Sequence, residues 1–211
     1  ETALQLINGE QLADFTNNLS ATDQQWLKRQ SFTAKAGQVA WLENGDGVLG
    51  RAQEDSLATL GHLPYTLPEG VYRLKESATF ITLLGWGLGS YAFNRYKAAE
   101  REPAQLILPD SADAAELINT VAATYLTRDL INTPAQDMAP SHLQAEVEAL
   151  ATTFEAAVST VVGDELLDLE CGAIHAVGRA ADDPPRLMDL TWGDPNHPKI
   201  TVVGKGVTFD S

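Results

Sequence analysis

Ile200-Thr-Val-Val-Gly-Lys-Gly-Val-Thr-Phe-Asp-Ser211 is the stretch on which the reading of this chain turns. The apolar, β-branched run from Ile200 to Val203 predicts a buried strand. It empties into Gly204-Lys205-Gly206, and Asp210 follows five residues after the lysine. Open α/β sheets place their ligands at strand ends. Glycines on both sides of a lysine let the backbone turn sharply and let a ligand approach. The segment therefore offers an amine and a carboxylate at one sheet edge. The plainer reading is a glycine turn with a solvated lysine and a capping aspartate.

Working back from that strand, helices and apolar strands alternate. A helix capped by Ser141 carries Leu143, Val147, Leu150, Ala151 and Phe154. Val158–Val162 reads as a strand, Asp164–Leu169 as a short helix, and Ile174–Val177 and Leu187–Trp192 as further strands, with a turn at Gly193–Pro198. Upstream, Leu117, Ile118, Val121, Ala122, Tyr125 and Leu126 make one apolar stripe, which predicts a helix over 110–130. Residues 1–108 read as a smaller α/β unit. Ser20 with Asp23 opens a helix; Gln38–Glu43 and Val48-Leu49 flank an Asn44-Gly45 hairpin turn; Gly70–Leu74 and Gln105–Leu108 are short strands. Ala78–Leu84 is apolar and leads through glycines into a helix over Tyr91–Lys97. The expected class is α/β: a small N-terminal α/β domain (1–108), a linking helix (109–130), and the start of a second α/β domain (131–211) with a central mixed sheet flanked by helices.

Composition narrows the function. The chain has 211 residues and is 44% hydrophobic, enough for a core. Its 29 acidic and 14 basic residues give a net charge of −15, which argues against nucleic acid or an anionic membrane as partner. The single cysteine, Cys171, excludes an intrachain disulfide framework and a Cys-rich zinc site. No apolar run reaches the ~20 residues of a membrane helix and no signal peptide is visible, so the expected location is the cytoplasm. The four histidines have no metal-site spacing. Gly45-Asp-Gly-Val-Leu-Gly50 has the form of a dinucleotide fingerprint but opens no helix, so the hairpin explains it.

Val203–Ser211 resembles the metal-binding motif of the leucyl aminopeptidase (cytosol aminopeptidase) family. Three further blocks are similar to that family in the same order: Leu88–Tyr96, Arg128–Pro134 with Met138-Ala-Pro140, and Gly172–Arg179 with Pro185-Arg-Leu187. The resemblance implies a two-metal peptidase whose sequence here ceases inside the first metal-binding motif, so the chain looks truncated. By position, Lys205 resembles the lysine that ligates one metal through its amine, and Asp210 the aspartate that bridges both. Such roles are chemically coherent: a lysine ligates only as a neutral amine, and a two-oxygen carboxylate can reach two metals. Mn²⁺ or Zn²⁺ fits, with Mg²⁺ also compatible, and the resemblance implies a bicarbonate as general base. It further implies removal of N-terminal, Leu-like residues from a peptide substrate by a homohexamer. No catalytic residue is identifiable within this chain. Two rival readings follow from the same residues. One is a non-catalytic binding or assembly module of the same fold. The other is a phosphate- or nucleotide-binding domain using Gly204-Lys-Gly206.

Overall fold

The computed structural model describes residues 1–109 and 113–208. The chain divides into two compact units, 1–128 and 129–211. In chain order the first unit holds β1 (Thr2–Ile7), α1 (Leu12–Asn17), α2 (Ala21–Arg29), β2 (Val39–Trp41), β3 (Gly47–Gly50), α3 (Ala58–Gly61), α4 (Leu63–Thr66), β4 (Val71–Leu74), α5 (Phe80–Gly89) and β5 (Gln105–Leu106). Helix α6 (Asp113–Asn132) contains the division, and α7 (Pro140–Phe154), β6 (Ala157–Val162), α8 (Glu165–Asp168), α9 (Gly172–Gly178) and β7 (Arg186–Thr191) follow.

The first unit is built on a five-stranded mixed sheet of order β2-β3-β1-β4-β5. Strand β1 is its centre, parallel to β3 on one side and to β4 on the other. Alternation along β1 and β3 sends side chains to both faces. Leu4, Leu6 and Leu49 join Leu60, Leu63, Leu67, Tyr72 and Trp86 of α3–α5 and β4. Ile7 and Val48 join Leu27, Phe32, Ala40 and Leu42 on the other face, where α2 packs. Each buried aliphatic side chain contributes about 1.5–3 kcal/mol, so both faces need a cover. The β1 segment, Thr-Ala-Leu-Gln-Leu-Ile, escapes sequence reading because it is buried on both faces and so lacks the apolar–polar alternation of a half-buried strand.

Two local expectations hold in detail. Ser20 Oγ accepts the Asp23 N–H at 3.0 Å and opens α2. Asn44-Gly45 turns the antiparallel β2–β3 hairpin, with Gly45 at φ +86°. This turn ends the dinucleotide reading, because Gly47–Gly50 is strand.

Others are corrected. Ile174–Val177 is helical, within α9: the Ile174 and His175 N–H groups both donate to the Cys171 carbonyl. A strand there is unnecessary because β6 and β7 pair directly, from Ala157 with Thr191 to Val162 with Arg186. Tyr91–Lys97 is not helical. The helix lies one step earlier, as α5, and closes at Ser90, whose N–H and hydroxyl both donate to the Trp86 carbonyl. Tyr91 instead stacks edge-on against Tyr125, with the Arg128 guanidinium over its ring. Ser141 does not cap α7. Pro140 is the first helical residue, His142 Nδ1 accepts the Ala139 N–H, and the Ser141 N–H donates to Asp183. The α/β class itself holds: a five-stranded mixed sheet flanked by helices lies in the first unit, and the described residues of the second hold the antiparallel pair β6–β7 with α7–α9.

Candidate metal centre

Residues 199–208 form neither helix nor strand, and Ile200, Val202 and Val203 are 88%, 90% and 89% exposed. The strand expected at Ile200–Val203 is therefore absent. A strand exists through its ladder partners, and β7 pairs only with β6 among the described residues. Lys205 sits in this segment with an exposed side chain. Asp210 lies outside the described residues, so its meeting with Lys205 belongs to the sequence reading alone. Gly206 runs beside α7: a Cβ there would stand 3.4 Å from Leu143 Cδ2. Neither Gly204 nor Gly206 has the left-handed φ of an anion nest, which removes the structural basis of the phosphate reading.

The described residues contain no group of three His, Cys, Asp or Glu side chains able to hold a metal. His175 is engaged with Asp164 (Nε2–Oδ1 2.9 Å) and His142 with the α7 N-terminus. The donor available near the motif is one exposed amine, which does not form a metal site by itself. The segment stands next to a well-tied scaffold. Asp183 accepts from the Ser141 N–H at 2.8 Å and pairs with Arg186 of β7 at 2.5 Å, joining α7 to the hairpin. Burial raises the Asp183 pKa, but the Ser141 and Arg186 contacts outweigh it and hold the carboxyl below its ordinary range.

A second gathering of polar groups, missed in the sequence, lies in the first unit at the carboxyl ends of β1, β3 and β4. There Glu76 and Arg51 flank the end of β1 around a cavity of about 790 Å³. The available signal was a charged residue at the ends of two of these strands: Arg51 after Gly50 of β3, and Lys75-Glu76 after Leu74 of β4.

Together these features define a mixed α/β protein whose second unit carries a glycine-flanked lysine. The pattern of the M17 aminopeptidase N-terminal domain matches residues 2–109, and that of the cytosol aminopeptidase family catalytic domain matches residues 125–211. The chain belongs to the cytosol aminopeptidase (M17) family. It is 31% identical to a probable cytosol aminopeptidase of Corynebacterium efficiens over 98% of its own length and 46% of that protein. It is 39% identical to Peptidase B of Cronobacter sakazakii over 48% of its length and 26% of that protein. The chain thus spans half or less of the curated relatives it matches. The crystal structure of the Coxiella burnetii cytosol aminopeptidase superposes with a TM-score of 0.86 at 36% identity, covering 93% of this chain and 45% of that one. The bottromycin maturation enzyme BotP in complex with Mn shares the fold, with a TM-score of 0.71 at 24% identity over 92% of this chain and 45% of that one. No described helix is long and apolar enough to cross a membrane.

Proposed function

We propose that this chain is the N-terminal domain (1–108), linking helix (109–130) and opening of the catalytic domain (131–211) of a metal-dependent aminopeptidase. The observation that carries the reading is the family match of both units together with the motif Val203–Ser211. Lys205 is one metal ligand, through a neutral amine, and Asp210 is the bridging carboxylate. The remaining ligands and the catalytic groups belong to the part of the relatives that this chain does not span. Two bound divalent ions, Mn²⁺ or Zn²⁺ with Mg²⁺ also compatible, supply Lewis acidity and water activation in such hydrolases. The expected role of this chain is to supply the lysine and the aspartate of that pair, the lysine from the segment whose Gly206 runs beside α7. The substrate is a peptide with a free, Leu-like N-terminus. A cytoplasmic homohexamer, with bicarbonate as general base, completes the reading.

The test is hydrolysis of leucine p-nitroanilide by the longest natural gene product carrying this chain, with EDTA and then with added Mn²⁺. Activity that EDTA removes and Mn²⁺ restores supports the peptidase. A folded, metal-loaded product without activity leaves the non-catalytic module.

A further inference from the structure

The outer edge of β2, at one end of the first unit's sheet, is closed by side chains. Ladder parity decides which backbone groups point outward there. The Gly50 N–H donates to the Gln38 carbonyl at 2.8 Å, and the Leu42 N–H to the Asp46 carbonyl at 2.8 Å. Bonds to a neighbour alternate along an antiparallel strand. Gln38, Ala40 and Leu42 therefore turn their backbone groups to β3, and Val39, Trp41 and Glu43 turn theirs away from it. No strand lies beyond β2 among the described residues. Two of the three outward N–H groups nevertheless have partners, both from α2. The Trp41 N–H donates to Gln30 Oε1 at 2.9 Å, and the Glu43 N–H to Asp23 Oδ1 at 2.9 Å. Gln30 also returns a bond, its Nε2 donating to the Trp41 carbonyl at 2.8 Å. Its amide meets Trp41 as a residue of a further strand would, with one bond given and one taken.

Both side chains are held in place. Leu27, between them on α2, is buried in one cluster with Ala40 and Leu42. Gln30 Nε2 donates its second proton to the Trp26 carbonyl at 3.1 Å, so the amide cannot turn over without losing bonds. Asp23 Oδ2 accepts the Ser20 hydroxyl at 2.8 Å. The segment they cover is one that attracts strands. Val39-Ala-Trp-Leu42 is an apolar run with strong strand preference, and an open edge of that kind is a template for another chain. The opposite edge of the sheet is closed by other means. Strand β5 is two residues long and lies between Pro103 and Pro109, which have no N–H to offer a further strand.

We propose that Gln30 and Asp23 form an edge guard: they fill the outer ladder of β2 and keep a second copy of the chain from adding its own β2 there. The excluded partner is a second copy, because two identical edges can pair antiparallel about a two-fold axis and need no other chain. The guard belongs to the first unit and does not rest on the peptidase reading.

The test is amide NMR of the 211-residue chain. It is read at β2 itself, because β7 is also an edge strand among the described residues. In the unaltered chain the Trp41 amide is expected to be protected from hydrogen exchange about tenfold or more above Val39, which points outward without a side-chain partner. Gln30→Ala should remove that excess and leave Ala40, paired to β3, protected. The Val39, Trp41 and Glu43 amides of this variant should then shift with protein concentration, with association about tenfold or more tighter than in the parent. Gln30→Lys loses the same acceptor for the Trp41 N–H but sets a charge at the edge, so its amides should stay still. Three results overturn the proposal. They are a Trp41 amide no more protected than Val39 in the unaltered chain, Gln30→Ala amides that do not move with concentration, and equal movement in both variants. The first of them stands on the unaltered chain if neither variant folds.

Discussion

At the residue scale, two positions near the end of the chain carry the proposed chemistry and three charged residues in the first unit carry measurable electrostatics. Asp210→Ala in the full gene product is expected to abolish metal binding and activity, because a bridging carboxylate has no substitute; metal analysis beside the leucine p-nitroanilide rate checks it. Lys205→Met is expected to lower metal stoichiometry and rate while leaving the fold intact, since Lys205 is exposed and off every element. Unchanged stoichiometry and rate would make it a turn lysine only. Asp46 is held below its ordinary pKa first by the Lys75 hydrogen bond, against burial, with Asn44 and the Ala3 N–H assisting. Its stabilisation is present above 3.8, the unfolded value, and is lost as pH falls through the lower folded value. Asp46→Ala should therefore cost about 1 kcal/mol at pH 7 by chemical denaturation, and progressively less in acid. Glu76 has the opposite sign. Its folded pKa is raised by burial, so its contribution is best below 4.5 and is lost as pH rises through the folded value. In ligand-free protein Glu76→Gln should raise the thermal midpoint at pH 7, and that gain should vanish below pH 4.5. A variant less stable than the parent at pH 7 would show that the carboxylate charge is already satisfied.

At the element scale, α5 shows what an apolar, glycine-rich stretch is for. A Cβ on Gly85 would lie 2.2 Å from the Leu57 carbonyl oxygen, and one on Gly89 only 1.9 Å from that of Gly61. These glycines let α5 meet the α3 segment backbone to backbone. Gly89→Ala is expected to destabilise by about 3 kcal/mol or more, because backbone cannot yield as a side chain can. Gly61→Ala, whose Cβ would stand 3.2 Å from the Gly85 carbonyl, should cost clearly less. Urea denaturation of both variants tests the order. The helix was legible as an apolar run, but its position was not: the glycines that suggested a break are its contact face. The Ile174–Val177 strand failed for a related reason. A four-residue apolar run fits a buried strand or a short helix equally, and pairing decides between them.

At the scale of the whole molecule, charge and pairing partners dominate. A net charge of −15 repels itself in the folded state. Raising salt from about 10 mM to about 150 mM should raise the thermal midpoint, since the screening length falls from about 30 Å to about 8 Å. A midpoint that fell with salt would show that attractive ion pairs outweigh the net repulsion. Patterns along the chain were enough for the α/β class, the hairpin at Asn44-Gly45, the α2 cap, the long helix that begins at Asp113, strands β6 and β7, and the Lys205 motif that pointed to the family. Those signals are local: turn residues, caps, periodicity and a contiguous motif are properties of neighbours along the chain. The three-dimensional pairing alone makes Thr2–Ile7 the central strand, Ile174–Val177 helical and Ile200–Val203 exposed coil, and sets Glu76 and Arg51 on either side of the end of β1. Each of those depends on which distant segment supplies hydrogen bonds and apolar cover, and no spacing within a short window records that.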